Sequence, residues 1–166
     1  MSLVRANKYV ASVDLIDVDE LVRAGVRCVL LDRDNTIVPR DTHVAPPEVE
    51  AWLKRLREAH IVTCMVSNNF HTNQVCASAE ALDCMVVHHA MKPAPVAVHI
   101  ATLVTGVPAE QCVLVGDQLF TDMVAGNLAH VRTILVRPQS TTDLWYTNLF
   151  RFAENLLLRG VTFEGE

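Results

Sequence analysis

With 166 residues, 51% of them hydrophobic, the chain has enough apolar side chain to fill a core and too much to remain disordered. Its formal net charge of −5, without any lysine- or arginine-rich run, argues against generic nucleic-acid binding, which needs clustered cations to neutralise phosphates. No apolar stretch approaches the roughly 18 residues that span a bilayer. The segment MSLVRANKYVASVDLIDVDE turns acidic where a secretory leader would be hydrophobic, so a cytoplasmic protein is expected, with peripheral membrane contact left open. Five cysteines, an odd number and without a CxxC pair, read as small buried thiols in a reducing compartment.

DVDELVRAG reads as a short helix with acids in its first turn. VRCVLLD (26–32) follows as the first of five apolar runs; the others are IVTCMVS (61–67), CMVVHH (84–89), CVLVGD (112–117) and RTILVRP (132–138). Each is rich in Val, Leu, Ile or Cys, as strands buried on both faces are. Between them lie helical patterns. PPEVEAWLKRLREAH carries Val49, Trp52, Leu53 and Leu56 on one face, and HTNQVCASAEAL follows the second strand. PAPVAVHIATLVTG ends on a C-capping Gly106, and LFTDMVAGNLAH follows the fourth strand. TTDLWYTNLFRFAENLLLRG closes the series, with Leu144, Leu149, Phe152 and Leu156 along one face. The alternation predicts one domain, residues 1–166: a Rossmann-like three-layer α/β sandwich on a parallel sheet of about five strands.

In such folds ligands bind beyond the carboxyl ends of the strands. The successive exits are Asp32-Arg33-Asp34-Asn35-Thr36, then Ser67-Asn68-Asn69, then Lys92-Pro93, then Gly116-Asp117-Gln118 with Thr121-Asp122 behind. Singly, each is ordinary turn or capping chemistry. Together, an acid pair, a hydroxyl, a lysine and another acid converge on one rim. If the first strand stays extended through Asp34, the Asp32 and Asp34 carboxylates meet and Arg33 points elsewhere. Adjacent carboxylates resist ionising together, so a cation neutralises them or one keeps its proton.

This set suits phosphoryl transfer with a divalent metal. Asp32 and Asp117 are hard oxygen ligands for Mg²⁺. One carboxylate attacks phosphorus, a second donates a proton to the leaving oxygen and later activates water, and Ser67 and Lys92 hold the phosphate oxygens.

DRDNT, the serine of SNN, the lysine of KP and GDQLFTD resemble the four motifs of the haloacid dehalogenase (HAD) superfamily of phosphatases. The resemblance implies that Asp32 is the nucleophile and Asp34 the general acid/base. It implies that Asp32, the Asp34 carbonyl and Asp117 bind Mg²⁺, that Ser67, Asn68 and Lys92 bind phosphate, and that Asp122 supports the metal or orients Lys92. The intervals between motifs are too short for the cap domain that covers small substrates, which implies the capless subclass III. An open site of that kind suits a membrane-borne or macromolecular phosphate, or closure by a neighbouring subunit in a homo-oligomer.

More narrowly, NKYVASVDLIDVDELVRAGVRCVLLD, DNTIVP, VSNN, VGDQLFTDMVAGN and TILVRP resemble the YqeG family of subclass IIIA, related to phosphatidylglycerophosphate phosphatases. That implies a lipid head group as substrate, in phospholipid biosynthesis. Arg33 departs from this family, which has an aliphatic residue there; DRD is typical of histidinol-phosphate and heptose-bisphosphate phosphatases. A soluble sugar phosphate or nucleotide is therefore the alternative substrate, and a non-catalytic scaffold the alternative from another class. Cys76, Cys84, His88 and His89 lack the clustered spacing of the zinc loop found in some of those enzymes. His71 and the His88-His89 pair are expected at the rim, and Arg40, Arg132 and Arg137 near strand exits. Asp14, Asp17, Asp19 and Glu20 lack an EF-hand loop and read as acids at a helix start.

Overall fold

The computed structural model describes residues 3–140 and 153–166. Six strands appear in it: β1 (Lys8–Val10), β2 (Cys28–Leu31), β3 (Val62–Val66), β4 (Met85–Val87), β5 (Cys112–Gly116) and β6 (Arg132–Val136). They form one parallel sheet in the order β1-β6-β5-β2-β3-β4. Five of the strands coincide with the apolar runs. The sixth, β1, has only three residues, too few for an alternating pattern to register in the sequence.

Side-chain alternation divides the sheet cleanly. Val29, Leu31, Met65, Val113, Val115 and Ile134 face α1 (Val18–Arg23), α2 (Pro47–Glu58) and α3 (Thr72–Ala81), where Leu21, Trp52, Leu53, Leu56 and Val75 complete one core. Cys28, Leu30, Cys64, Val66, Cys112 and Leu114 face α4 (Val96–Thr105) and α5 (Val124–Leu128), whose contact residues are Ala97, Val98, Ala101 and Ala125. The three strand cysteines are fully buried on this second side, where the helices approach through small residues.

Local signals fix the helix ends. Asp17 caps α1 by accepting from the amides of Asp19 and Glu20, which accounts for the acidic cluster. Pro47 opens α2, and Trp52 on its buried face donates its indole N–H to the Ile16 carbonyl at 2.8 Å. α4 stops at Gly106 in the left-handed conformation. One element differs from expectation. The helix after β5 begins as a π-helical turn, Leu119–Met123, before α5 takes over.

Of the expected C-terminal helix, Leu144, Leu149 and Phe152 lie outside the described residues, as do Trp145 and Phe150. Residues 153–157 are helical, but Leu156 is 54% exposed, and it is Glu154 that turns inward. Phe163 supplies the buried aromatic at this end, packed edge-on against Tyr9 and beneath the Arg137 guanidinium.

A single helix separates β2 from β3 and another separates β3 from β4, so neither interval holds a cap domain. The chain runs from β2 outward through β3 to β4, then crosses back to place β5 and β6 on the other side. The sheet therefore switches direction beside β2, and Asp32 stands at that exit.

Candidate active site

Asp32 is the last residue of the first motif still tied into the sheet, its amide donating to the Val115 carbonyl at 2.9 Å. The chain then turns at once. The Ile37 and Val38 amides both donate to the Arg33 carbonyl, and Asn35 takes a positive φ of 62°. Asp34 forms an isolated parallel bridge with Val38 before the turn, and the two carboxylates are drawn to different partners, Asp32 to Lys92 and Asp34 to Arg33 and Asn69. Arg33 does not point away: its guanidinium folds back onto the Asp34 carboxylate. Alternation sets only the direction in which a side chain leaves the backbone, and the long arginine side chain reaches back to its neighbour.

Lys92 lies at the centre of the acidic group. Its ammonium donates to Asp32 Oδ1 at 2.7 Å and to Asp122 Oδ1 at 2.6 Å, and all three residues are buried. Burial by itself lowers the lysine's pKa, but Asp122 and Asp32 outweigh it and hold the ammonium above its ordinary value. Burial is also the largest influence on Asp32, pushing its carboxyl up to about 8; Lys92 opposes this, while Asp122, Asp117 and Asp34 add to it. The other Asp122 oxygen accepts the Gln118 amide at 3.1 Å. Thr36 donates its hydroxyl to Asp117 at 3.4 Å.

Carboxylate oxygens of Asp32, Asp117 and Asp122 lie within 4.8 Å of one another, the one convergent His/Cys/Asp/Glu group among the described residues. Three buried hard oxygen donors fit a small divalent cation such as Mg²⁺. Cys84, by contrast, is engaged with Thr63 and the Leu82 carbonyl, and His88 and His89 meet edge to face at the exposed rim.

The second exit lies beside the lysine loop. Ser67 is buried, and its hydroxyl accepts the Asn69 amide at 3.1 Å. The Asn68 side chain is committed to the Lys92 backbone, accepting its amide at 2.7 Å and donating to its carbonyl at 3.0 Å. It therefore locks the lysine loop to the β3 exit, which leaves only the Asn68 backbone for the phosphate contact expected of it. Asn69 donates to Asp34 Oδ2 at 3.0 Å. Arg40 lies 3.6 Å from the same oxygen. Arg137 pairs instead with Glu166, and Arg132 sits at the amino end of β6, on the opposite rim.

The model of the HAD-hydrolase-like family matches residues 89–154, which hold the lysine and the GDQLFTD segment. The sequence is 31% identical over 159 residues to the probable phosphatase YqeG of Bacillus subtilis, covering 96% of this chain and 92% of that protein. The chain belongs to the YqeG family of HAD-like hydrolases.

Solved structures carry the same fold at low identity. One is the cobalt-bound deoxy-D-mannose-octulosonate 8-phosphate phosphatase of Haemophilus influenzae, with a TM-score of 0.55, 14% identity, and coverage of 82% of this chain and 89% of that one. Another is a HAD-superfamily hydrolase of Ehrlichia chaffeensis, with a TM-score of 0.53, 12% identity, and coverage of 80% and 98%.

Within this YqeG-family chain the structure also brings in residues that motif reading passes over. Gly116 has Asp122 lying directly on it: a Cβ there would stand 2.4 Å from the carboxylate carbon. Glu154, distant in sequence, accepts the Leu119 amide at 2.6 Å and the Phe120 amide at 3.3 Å, which ties down the turn that carries Asp122. Gly-Asp after a strand was the only sequence signal for the first. Nothing in the sequence marks the second, because its partners lie far along the chain.

Proposed function

We propose that this chain hydrolyses a phosphate monoester through an aspartyl-phosphate on Asp32, with phosphatidylglycerophosphate or a closely similar lipid phosphate as substrate. That it is a metal-dependent phosphatase of the HAD family is the coarser statement, and it follows from family membership. The observation that carries the finer mechanism is the buried Lys92 ammonium, bonded at once to Asp32 and Asp122 beside Asp117.

In the proposed first step, a carboxylate oxygen of Asp32 bonds to phosphorus as the bond to the leaving oxygen breaks. Asp34 gives that oxygen its proton. In the second step water attacks the same phosphorus, Asp34 takes back a proton, and the bond to Asp32 breaks, releasing inorganic phosphate. Ser67, the Asn68 backbone and Lys92 hold the non-bridging oxygens, whose charge the ammonium offsets. Asp32, Asp117 and the Asp34 carbonyl would hold Mg²⁺, with Asp122 in support; bound there, it favours the ionised nucleophile and shields the phosphate's charge.

Support for a lipid substrate comes from the mouth of the site. Phe70 directly follows Asn69, and Met91 directly precedes Lys92; they are 78% and 67% exposed. No cap covers them. Exposed apolar residues flanking a phosphate site suit a phosphate presented at a lipid surface. Arg33 does not argue for a soluble substrate, since the residue is 1% exposed and its side chain is engaged within the protein.

Asp32→Asn is expected to cut Mg²⁺-dependent hydrolysis of para-nitrophenyl phosphate by about a thousandfold or more; a wild-type rate would remove the nucleophile assignment. Turnover of lipid phosphates in mixed micelles, measured beside soluble sugar phosphates and nucleotides, tests the substrate. Faster turnover of the soluble set would replace the lipid reading with the soluble one.

A further inference from the structure

The proposed chemistry gives Arg33 no task. A guanidinium is rarely buried unless its donors are used. Here it is, and two of them are used across separate elements. Its Nε donates to Ser78 Oγ on α3 at 3.0 Å. The hydroxyl hydrogen of Ser78 goes to the Gln74 carbonyl at 2.9 Å, so Ser78 is set to accept from the guanidinium. One Nη donates to Asp34 Oδ1. The other Asp34 oxygen receives Asn69 Nδ2 from the Ser67 loop. The Asp34 carboxyl is thus held at one oxygen from α3 and at the other from the β3 exit.

We propose that Arg33 is a positioning residue: anchored on Ser78 of α3, it fixes the Asp34 carboxyl in the orientation from which it delivers a proton to the leaving oxygen. This rests on the proposed role of Asp34 as general acid. The Nε and Nη donors of the guanidinium are separate atoms of one rigid plane, and they reach a hydroxyl and a carboxylate in a fixed relation. A lysine ammonium offers its donors from a single atom on a flexible stem and does not reproduce that spacing. The cost of misplacing Asp34 falls on the protonation of the leaving group. As the phosphorus–oxygen bond breaks and Asp32 bonds to phosphorus, the departing oxygen takes its hydrogen from Asp34 or leaves as an anion. Esters of weakly basic alcohols tolerate the second course; esters of basic alcohols do not.

The test compares kcat/KM for para-nitrophenyl phosphate, whose leaving group departs readily as an anion, with phenyl phosphate, whose leaving group is more basic. Arg33→Lys, Ser78→Ala and Asp34→Asn are each assayed with Mg²⁺ in excess. Arg33→Lys should lose about tenfold more on phenyl phosphate than on para-nitrophenyl phosphate, a share of the 10²–10⁴ typical of general acid catalysis. Ser78→Ala should lose in the same direction to a smaller extent, and it keeps the charge balance should the lysine variant fold poorly. Equal losses on both esters in both variants would mean that Arg33 only supports the fold, and would overturn the inference. Asp34→Asn separates the two levels. If it discriminates between the esters while the other variants do not, positioning by Arg33 fails and the acid assignment stands. If Asp34→Asn loses equally on both esters, the acid assignment fails and the inference fails with it.

Discussion

Asp122 shows how one side chain can depend on the absence of another. Its carboxylate lies against Gly116, with one oxygen on Lys92 and the other on the Gln118 amide. A Cβ at position 116 would stand 2.4 Å from atoms of that carboxylate, and a side chain as short as aspartate has nowhere to swing without releasing Lys92. Gly116→Ala is therefore expected to cost about 1–3 kcal/mol of stability, as overpacking does. It should also reduce kcat/KM on para-nitrophenyl phosphate by roughly tenfold, about 1.4 kcal/mol of transition-state stabilisation. Urea unfolding and steady-state kinetics check the two effects separately; a variant with unchanged kinetics would show that Asp122 does not hold Lys92 for catalysis.

At the scale of elements, the π-helical turn Leu119–Met123 is the irregular part of an otherwise regular sandwich, and it carries Asp122. Its first amides lack helical partners, as at every helix start. Glu154 accepts two of them from a residue that is itself buried. Glu154→Ala leaves those donors without that acceptor inside the protein, at an expected cost of about 1–3 kcal/mol. Glu154→Gln keeps an acceptor of the same shape and should recover most of that loss. Thermal or urea unfolding of the pair separates the charge from the acceptor and its shape: equal losses in both would assign the effect to the charge.

For the whole molecule, the acidic cluster links stability to pH and to metal. Asp32 is pushed from an ordinary 3.8 up to about 8. A carboxyl raised in the folded state stabilises the fold fully below its unfolded value and gives up that stabilisation as pH climbs through the folded one. Lys92, raised above an already high value, stays charged throughout this interval. The Asp32 contribution to the stability of chelator-treated protein should thus decline from about pH 4 to pH 8. On the proposed reading Mg²⁺ binds the ionised form, and its stabilising effect should then be larger at the alkaline end, about 5 °C in Tm at a hundredfold excess over Kd. An equal Mg²⁺ shift at both ends of the interval would detach the cation from Asp32. Among the described residues no helix is long and apolar enough to cross a membrane.

Much of this was legible in the sequence. Val-, Leu- and Cys-rich runs alternating with amphipathic segments determined a parallel sheet with helices on both faces, because such strands are stable only when both faces are covered. The chemical types at four successive exits determined that acids, a hydroxyl and a lysine share one rim. A three-residue edge strand was not legible, because it is held by β6 rather than by its own pattern. Nor was the inward turn of Glu154 where Leu156 was expected to face the interior. Only the tertiary structure decided how the rim is wired: that Lys92 joins Asp32 to Asp122, that Asn68 serves the lysine loop, and that Arg33 turns back to Asp34. The reason is that sequence periodicity specifies which side of an element a residue occupies. Which partner it meets there depends on where chain turns end and on side chains brought close from tens of residues away.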